Sequence, residues 1–123
     1  MRVMVIGASS DPSKFGNKAV RAFLRHGDEV LPVNPRAARD GAKIEGLTVF
    51  PDVASVPGPI DKASLYLPPA LGIAAIEAIA ARGDVAEVWL NPGAESPALL
   101  RRARELGIEP IQACSIMAVG ETP

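Results

Sequence analysis

The chain has 123 residues, of which 48% are apolar and 22% are charged, and its 13 basic side chains nearly balance its 14 acidic ones. This balance is typical of one soluble globular domain and offers no basic surplus that would favour nucleic acid as a partner. No apolar run is long enough for a membrane span, no secretory signal is recognisable, and a single cysteine excludes an internal disulfide, so we expect a cytoplasmic protein. One histidine and one cysteine also argue against a zinc site.

The charges are distributed unevenly along the chain. Residues 1–43 carry eight basic and four acidic side chains, whereas the rest of the chain carries five basic and ten acidic ones. The N-terminal third is therefore positive although the whole chain is close to neutral. We expect an anionic small molecule to bind there.

The first third of the chain shows the pattern of a strand, a helix and a second strand. Residues 3–6 are continuously apolar, which predicts a strand buried on both faces. Residues 17–26 place their apolar side chains on one helical stripe, and Gly27 follows as a typical helix end. Residues 29–33 predict the second strand, in which Pro32 favours an irregular or unpaired edge.

The middle of the chain predicts a loop, two strands and a helix. Residues 34–46 show no periodicity and are interpreted as a loop, and residues 47–50 predict a short edge strand. Residues 63–67 predict a further buried strand. Residues 71–82 predict a helix that is apolar over most of its surface, so we expect it to be covered by neighbours or to lie in a subunit interface.

The last third predicts a strand at residues 86–90, a helix from Pro97 to Leu106 capped by Ser96, and a final strand at residues 108–112. Alternating strands and helices are typical of a parallel sheet with right-handed crossovers. We therefore predict one α/β domain over residues 1–123, a Rossmann-like, doubly wound parallel sheet of five or six strands. The expected strand order is 3-2-1-4-5-6.

The loop after the first predicted strand has the composition of a phosphate-binding loop. In a parallel sheet, ligands bind beyond the carboxyl ends of the strands, and this loop lies there. Serine hydroxyls, a lysine and the free N–H groups of a helix N-terminus together suit a pyrophosphate. The alternative is an ordinary polar loop with a capping residue. The candidate binding residues are Gly7, Ala8, Ser9, Ser10, Ser13, Lys14, Phe15 and Gly16.

The usual dinucleotide-binding fingerprint is absent. The second and third glycines of a Gly-x-Gly-x-x-Gly run are replaced by Ser9 and Pro12. The second strand is followed by Asn34, Pro35 and Arg36 rather than by the acidic residue that holds the ribose of NAD. A neutral side chain followed by an arginine suits an adenosine with an extra phosphate, which leaves NADP and coenzyme A (CoA) as alternatives.

Several segments together resemble the small single-domain CoA-binding proteins, which are similar to the CoA-binding domain of the succinyl-CoA ligase alpha subunit. The resemblance spans nearly the whole chain. The segments that carry it are Val5–Ser9, Pro12–Lys14, Gly16, Leu31–Pro35, Leu67–Pro69 and Val88–Gly93.

The resemblance implies that CoA lies across the carboxyl edge of the sheet. The loop from Ser9 to Gly16 would then take the phosphates, and the turn from Asn34 to Arg36 would take the adenosine end. Pro68 and Asn91 would line the path of the pantetheine arm. The resemblance also accounts for Pro32, which such proteins share.

The leading hypothesis is a module that binds CoA or an acyl-CoA without catalysis of its own, because no nucleotide-activating domain and no counterpart of the ligase's phosphorylated histidine are recognisable. His26 is interpreted as a helix-end charge and Cys114 as a structural thiol, with a mixed disulfide to CoA as the alternative for the cysteine. A second hypothesis is an NADP-dependent oxidoreductase or dinucleotide-binding subunit. A third is an interaction or regulatory subunit that uses helix 71–82 to form a homodimer or to dock onto an enzyme.

Overall fold

A computed structural model describes residues 1–123 and contains a five-stranded, all-parallel sheet with helices on both faces. The strand order is β2-β1-β3-β4-β5, which confirms the predicted Rossmann-like α/β fold. No helix is long and apolar enough to cross a membrane. The elements are β1 (Arg2–Ile6), α1 (Phe15–His26), β2 (Glu29–Val33), α2 (Pro35–Arg39), β3 (Ile60–Leu65), α3 (Pro69–Arg82), β4 (Val85–Leu90), α4 (Pro97–Glu105), β5 (Ile111–Gln112) and α5 (Ser115–Ala118).

The core is divided between the two faces of the sheet by the alternation of side chains along each strand. On β1, Met4 and Ile6 pack in a cluster with residues of α3 and α4. Val3 and Val5, on the opposite face, pack in a second cluster with residues of α1 and with Ile116 of α5. Because β1 is covered on both faces, it is continuously apolar. The chain passes from β1 to β2 on one side of β1 and then crosses to β3 on its other side. The strand order therefore reverses at β1.

The predicted edge strand at residues 47–50 is reduced to one parallel bridge between Val33 and Phe50. When that segment is left out of the predicted order and the strands are renumbered, the observed order results. The same bridge explains Pro32, which is paired in register with Val5. The Pro32 carbonyl accepts a hydrogen bond from Phe50 (2.9 Å) on the outer side of β2, so its missing N–H faces away from β1.

Two short helices, α2 and α5, were not predicted. The segment interpreted as a loop at residues 34–46 contains α2, whose N-cap is Asn34 and whose first residue is Pro35. An Asn-Pro pair is a recognised helix start, so the signal was present in the sequence. The four-residue α5 has no side-chain cap and too little length for a periodic pattern.

The last predicted strand is shorter than expected. Only Ile111 and Gln112 pair with β4, although the apolar pattern extends back to residue 108. Pro110 lacks the N–H that a sheet ladder requires, which explains where the pairing begins.

Candidate ligand-binding site

Two adjoining clefts lie at the carboxyl edge of the sheet, on either side of the point where the strand order reverses. The β4-side cleft, about 700 Å³, is lined by residues that follow β1, β3 and β4 and by residues of α5. The β2-side cleft, about 540 Å³, is lined by residues that follow β1 and β2 and by one face of α3. Four residues line both clefts: Gly7, Lys14, Tyr66 and Leu67. This is where a doubly wound sheet is expected to bind its ligand.

The turn after β1 depends on two glycines. Gly7 has a φ of +89°, and a Cβ there would lie 2.5 Å from the Tyr66 carbonyl oxygen. Gly16 has an ordinary helical φ, but its Cβ would overlap the Gly7 carbonyl oxygen. The first turn of α1 therefore rests directly on the turn after β1, at a distance that only glycine allows.

Most of the serine hydroxyls in this loop are used within the loop itself. The Ser9 Oγ accepts a hydrogen bond from the Asp11 N–H (3.0 Å). The Asp11 carboxylate accepts hydrogen bonds from the hydroxyl (2.7 Å) and the N–H (2.9 Å) of Ser13. These bonds, with a smaller contribution from Lys14, hold the pKa of Asp11 below its ordinary value. Ser10 is exposed and, unlike Ser9 and Ser13, its side chain makes no hydrogen bond within the protein.

Lys14 is the free cation of the loop. It is exposed, lines both clefts and has no carboxylate partner. It is also the N-cap residue of α1, and its side chain makes no capping bond. The first two N–H groups of α1, from Phe15 and Gly16, consequently remain without an acceptor, as at any uncapped helix start. A positive side chain and two free donors thus lie together where the clefts meet.

Asn34 joins the first two strand ends. Its Nδ2 donates to the Ala8 carbonyl (2.9 Å), and its Oδ1 accepts from the Ala37 N–H (3.0 Å). Both polar ends of this side chain are therefore engaged within the protein, and Asn34 acts as a positioning residue for the turn. Pro35 lines the β2-side cleft beside it, whereas Arg36 is exposed on α2 outside the lining of either cleft.

Asn91 is the centre of a buried polar network below the β4-side cleft. Its Nδ2 donates to the Ser64 Oγ and to the Leu65 carbonyl, both at 2.9 Å. Its Oδ1 accepts from the N–H and the hydroxyl of Ser115, again at 2.9 Å. The hydroxyls of Ser64 and Tyr66 lie 2.7 Å and 3.0 Å from the Ser115 Oγ. Asn91 thereby ties β3 and β4 to the start of α5.

The remaining predicted residues lie on the same edge. Pro68 lines the β4-side cleft together with Phe15 and Gly16, and Ala8 and Ser9 line the β2-side cleft. Cys114, predicted to be a structural thiol, is half-buried and lines the β4-side cleft. The clefts also contain residues that were not predicted as binding residues: Leu67, Leu71, Ile116 and Met117.

Tyr66 separates the two clefts, and its ionisation gives a measurable signal. Burial of the ring raises the pKa of Tyr66 above its ordinary value of 10.0, against a weaker opposite effect of hydrogen bonds to Ser115 and Ser64. A raised pKa means that this group stabilises the fold fully below pH 10.0 and loses that contribution as the pH rises through the folded-state value. Tyr66 is the only tyrosine, so phenolate absorbance reports it alone. We expect the phenolate to form at higher pH in the folded chain than in urea; a folded-state titration at or below pH 10.0 would contradict this.

Comparison with known proteins identifies the family. A family model described as a CoA binding domain matches residues 1–121. The chain belongs to this family of CoA-binding domains. Membership of a CoA-binding family, predicted from the loop after β1 and from the Val33-Asn34-Pro35 turn, is confirmed.

Individual relatives extend the comparison. The alpha subunit of an ADP-forming acetate–CoA ligase from Pyrococcus furiosus is 33% identical over 67 residues, which are 54% of this chain but only 14% of that subunit. A conserved hypothetical protein from the same organism is 31% identical, with a TM-score of 0.84 and coverage of 95% of this chain and 97% of that one. A dinucleotide-forming acetyl-coenzyme A synthetase from Candidatus Korarchaeum cryptofilum matches with 29% identity and a TM-score of 0.75, over 91% of this chain and 25% of the synthetase.

Proposed function

We propose that this chain binds CoA or an acyl-CoA across the carboxyl edge of its sheet. The phosphates contact Lys14 and the start of α1, the adenosine end lies in the β2-side cleft, and the pantetheine arm lies in the β4-side cleft. The observation that carries the proposal is the meeting of two clefts at an unpaired lysine. A ligand with two unlike arms on either side of a pyrophosphate matches that arrangement.

The arginines of α2 support a ligand that has a phosphate on its adenosine end. Arg36 and Arg39 are exposed and form no ion pair, so both are free to turn toward an anion beyond the β2-side cleft.

Isothermal titration with CoA, dephospho-CoA and NADPH tests the function as a whole. We expect CoA to bind most tightly. Tighter binding of NADPH than of CoA would favour the dinucleotide-binding alternative.

The proposed role is binding rather than catalysis by this chain alone. His26, the only histidine, lies at the far end of α1 with its Nδ1 2.9 Å from the Asp28 carboxylate. It lines neither cleft, so Cys114 has no imidazole beside it. Relatives named as a ligase subunit and as a synthetase are longer than the matched region, which suggests that their chemistry needs further domains. An enzyme partner is part of the proposal for this chain.

Replacing Lys14 with alanine is expected to weaken CoA binding about tenfold, or by about 1–2 kcal/mol, because one charge-assisted contact to a phosphate is lost. The free energy of unfolding should not change, since the Lys14 side chain is exposed and unpaired. Isothermal titration of both proteins measures the effect. Lys43→Ala is the matched control, because Lys43 is also exposed but lines neither cleft. Equal losses in the two variants would remove Lys14 from the phosphate site.

A further inference from the structure

Ile116 and Met117 of α5 form an apolar end of the β4-side cleft that a pantetheine arm does not explain. Five large apolar side chains of the protein are exposed, and three of them line the clefts. Phe15 and Met117, 57% and 65% exposed, line the β4-side cleft, and Leu71 lines the other. Exposed apolar side chains gathered at one concave surface indicate a binding site rather than scattered exposure. This end therefore favours an apolar group.

The β4-side cleft is also larger than the arm proposed to occupy it. The pantetheine arm has about 18 non-hydrogen atoms, which at the close packing of protein interiors fill about 350 Å³. The cleft measures about 700 Å³. The cleft thus has room beside the arm for a group attached to the sulfur of CoA.

The charges of the residues that line the β4-side cleft favour an uncharged acyl group over a charged one. Lys14 is the only charged side chain that lines the β4-side cleft, and it lies where the two clefts meet, in the position proposed for the phosphates. The second cation near the lining, Lys18, lies over the Phe15 ring, 4.8 Å from its centroid, at the start of α1. The α5 part of the lining contains no cation that could pair with an acyl group's own carboxylate. Enclosing an unpaired carboxylate among apolar side chains is strongly unfavourable. The lining therefore disfavours succinyl and malonyl groups.

We infer that the β4-side cleft takes the uncharged acyl chain of a short- to medium-chain acyl-CoA, such as butyryl- or hexanoyl-CoA. This inference rests on the proposed function, because it needs CoA to lie with its pantetheine arm in that cleft. The acyl chain lies against Ile116 and Met117 of α5. The ligand of this chain is then the acylated form of CoA rather than free CoA.

Isothermal titration of the full chain with CoA, acetyl-CoA, hexanoyl-CoA and succinyl-CoA tests the inference. We expect hexanoyl-CoA to bind about tenfold more tightly than acetyl-CoA, because each additional buried CH₂ group favours binding. Succinyl-CoA should bind more weakly than hexanoyl-CoA by at least the same factor. Equal affinities for CoA and hexanoyl-CoA, with CoA bound, would overturn the inference and leave the proposed function standing. Failure of all four ligands to bind would overturn both.

A charge substitution at the apolar end locates the acyl chain. Met117→Lys introduces a cation at an exposed position and is expected to lower the ratio of hexanoyl-CoA to succinyl-CoA affinity at least tenfold. Leu24→Lys is the matched control, because Leu24 is an exposed apolar residue that lines neither cleft. Circular dichroism shows that each variant is folded. An unchanged ratio in the folded Met117 variant would place the acyl chain elsewhere and overturn the inference.

Discussion

Replacing Gly7 with alanine is expected to abolish CoA binding and to lower the free energy of unfolding by about 2–5 kcal/mol. Two effects add at this position. The left-handed φ of +89° disfavours any residue with a Cβ, and the added Cβ would lie 2.5 Å from the Tyr66 carbonyl oxygen. Since the Tyr66 backbone is held in the sheet by a hydrogen bond to the Ile6 carbonyl (2.8 Å), it cannot retreat without disturbing β3. The turn that separates the clefts must move instead.

Gly27→Ala separates the two effects. Gly27 has nearly the same φ, +93°, but nothing lies within 4 Å of its added Cβ. This variant should lose only the conformational part, about 1–2 kcal/mol, and should bind CoA like the unaltered chain. Urea unfolding and isothermal titration of both variants measure the difference. Equal destabilisation, with binding retained in both, would show that the contact between Gly7 and Tyr66 relaxes easily.

Local sequence patterns were sufficient for most of the sheet. The bounds of β2, Glu29–Val33, are those predicted, because Gly27 ends α1 immediately before it and an Asn-Pro pair follows it. The helix predicted at residues 71–82 begins slightly earlier, at Pro69, since proline is favourable in the first turn of a helix. Its exposed residues are mostly alanine, and its one large exposed apolar residue, Leu71, lines the β2-side cleft. Docking of a partner through this helix stays a prediction.

The polar contacts of the site were less predictable, because they depend on which segments meet in space. The three serines of the loop suggested donors to a phosphate, but Asp11 takes the hydrogen bonds of Ser13, two residues away. The Asp11 carboxylate competes with a phosphate for the Ser13 hydroxyl, and residue type alone does not reveal that the two side chains lie within hydrogen-bond distance. The lining of the β4-side cleft by α5 was also missed. No local pattern marks a four-residue helix that is held by distant segments of the chain, α1 and the residue that follows β4.

The two Asn-Pro pairs also show that polar contacts depend on which segments meet in space. Asn34 and Asn91 each follow a strand and precede a proline, so local sequence treats them alike. In the structure, Asn34 is half-buried and makes one local bond, from the Ala37 N–H, and one distant bond, to the Ala8 carbonyl. Asn91 is 3% exposed, and all its side-chain bonds reach residues 24 to 27 positions distant. The position of each strand in the sheet determines the difference, since β4 lies between β3 and β5.

Replacing Asn91 with alanine is consequently expected to lower the free energy of unfolding by about 3–5 kcal/mol. Asn34→Ala loses an N-cap and one bond to the Ala8 carbonyl, so a smaller loss of about 2–3 kcal/mol is expected. The alanine leaves the Leu65 carbonyl and the Ser115 N–H buried without their partners. Asn91→Asp keeps the shape, and one carboxylate oxygen can still accept from the Ser115 N–H. The other oxygen replaces the donor that faces the Leu65 carbonyl, so that contact becomes repulsive. It should be destabilised nearly as much as the alanine variant.

Amide hydrogen exchange at Ser115 distinguishes this account from a general loss of stability. Because the Asn91 Oδ1 accepts the Ser115 N–H, that amide should lose its protection in Asn91→Ala even where β1 remains protected. Helix α5 is then free to leave the β4-side cleft, and Ile116 and Met117 leave with it. Acyl-CoA affinity should fall in the folded fraction of this variant. Full protection of Ser115 in Asn91→Ala would show that packing of Ile116 alone holds α5 in place.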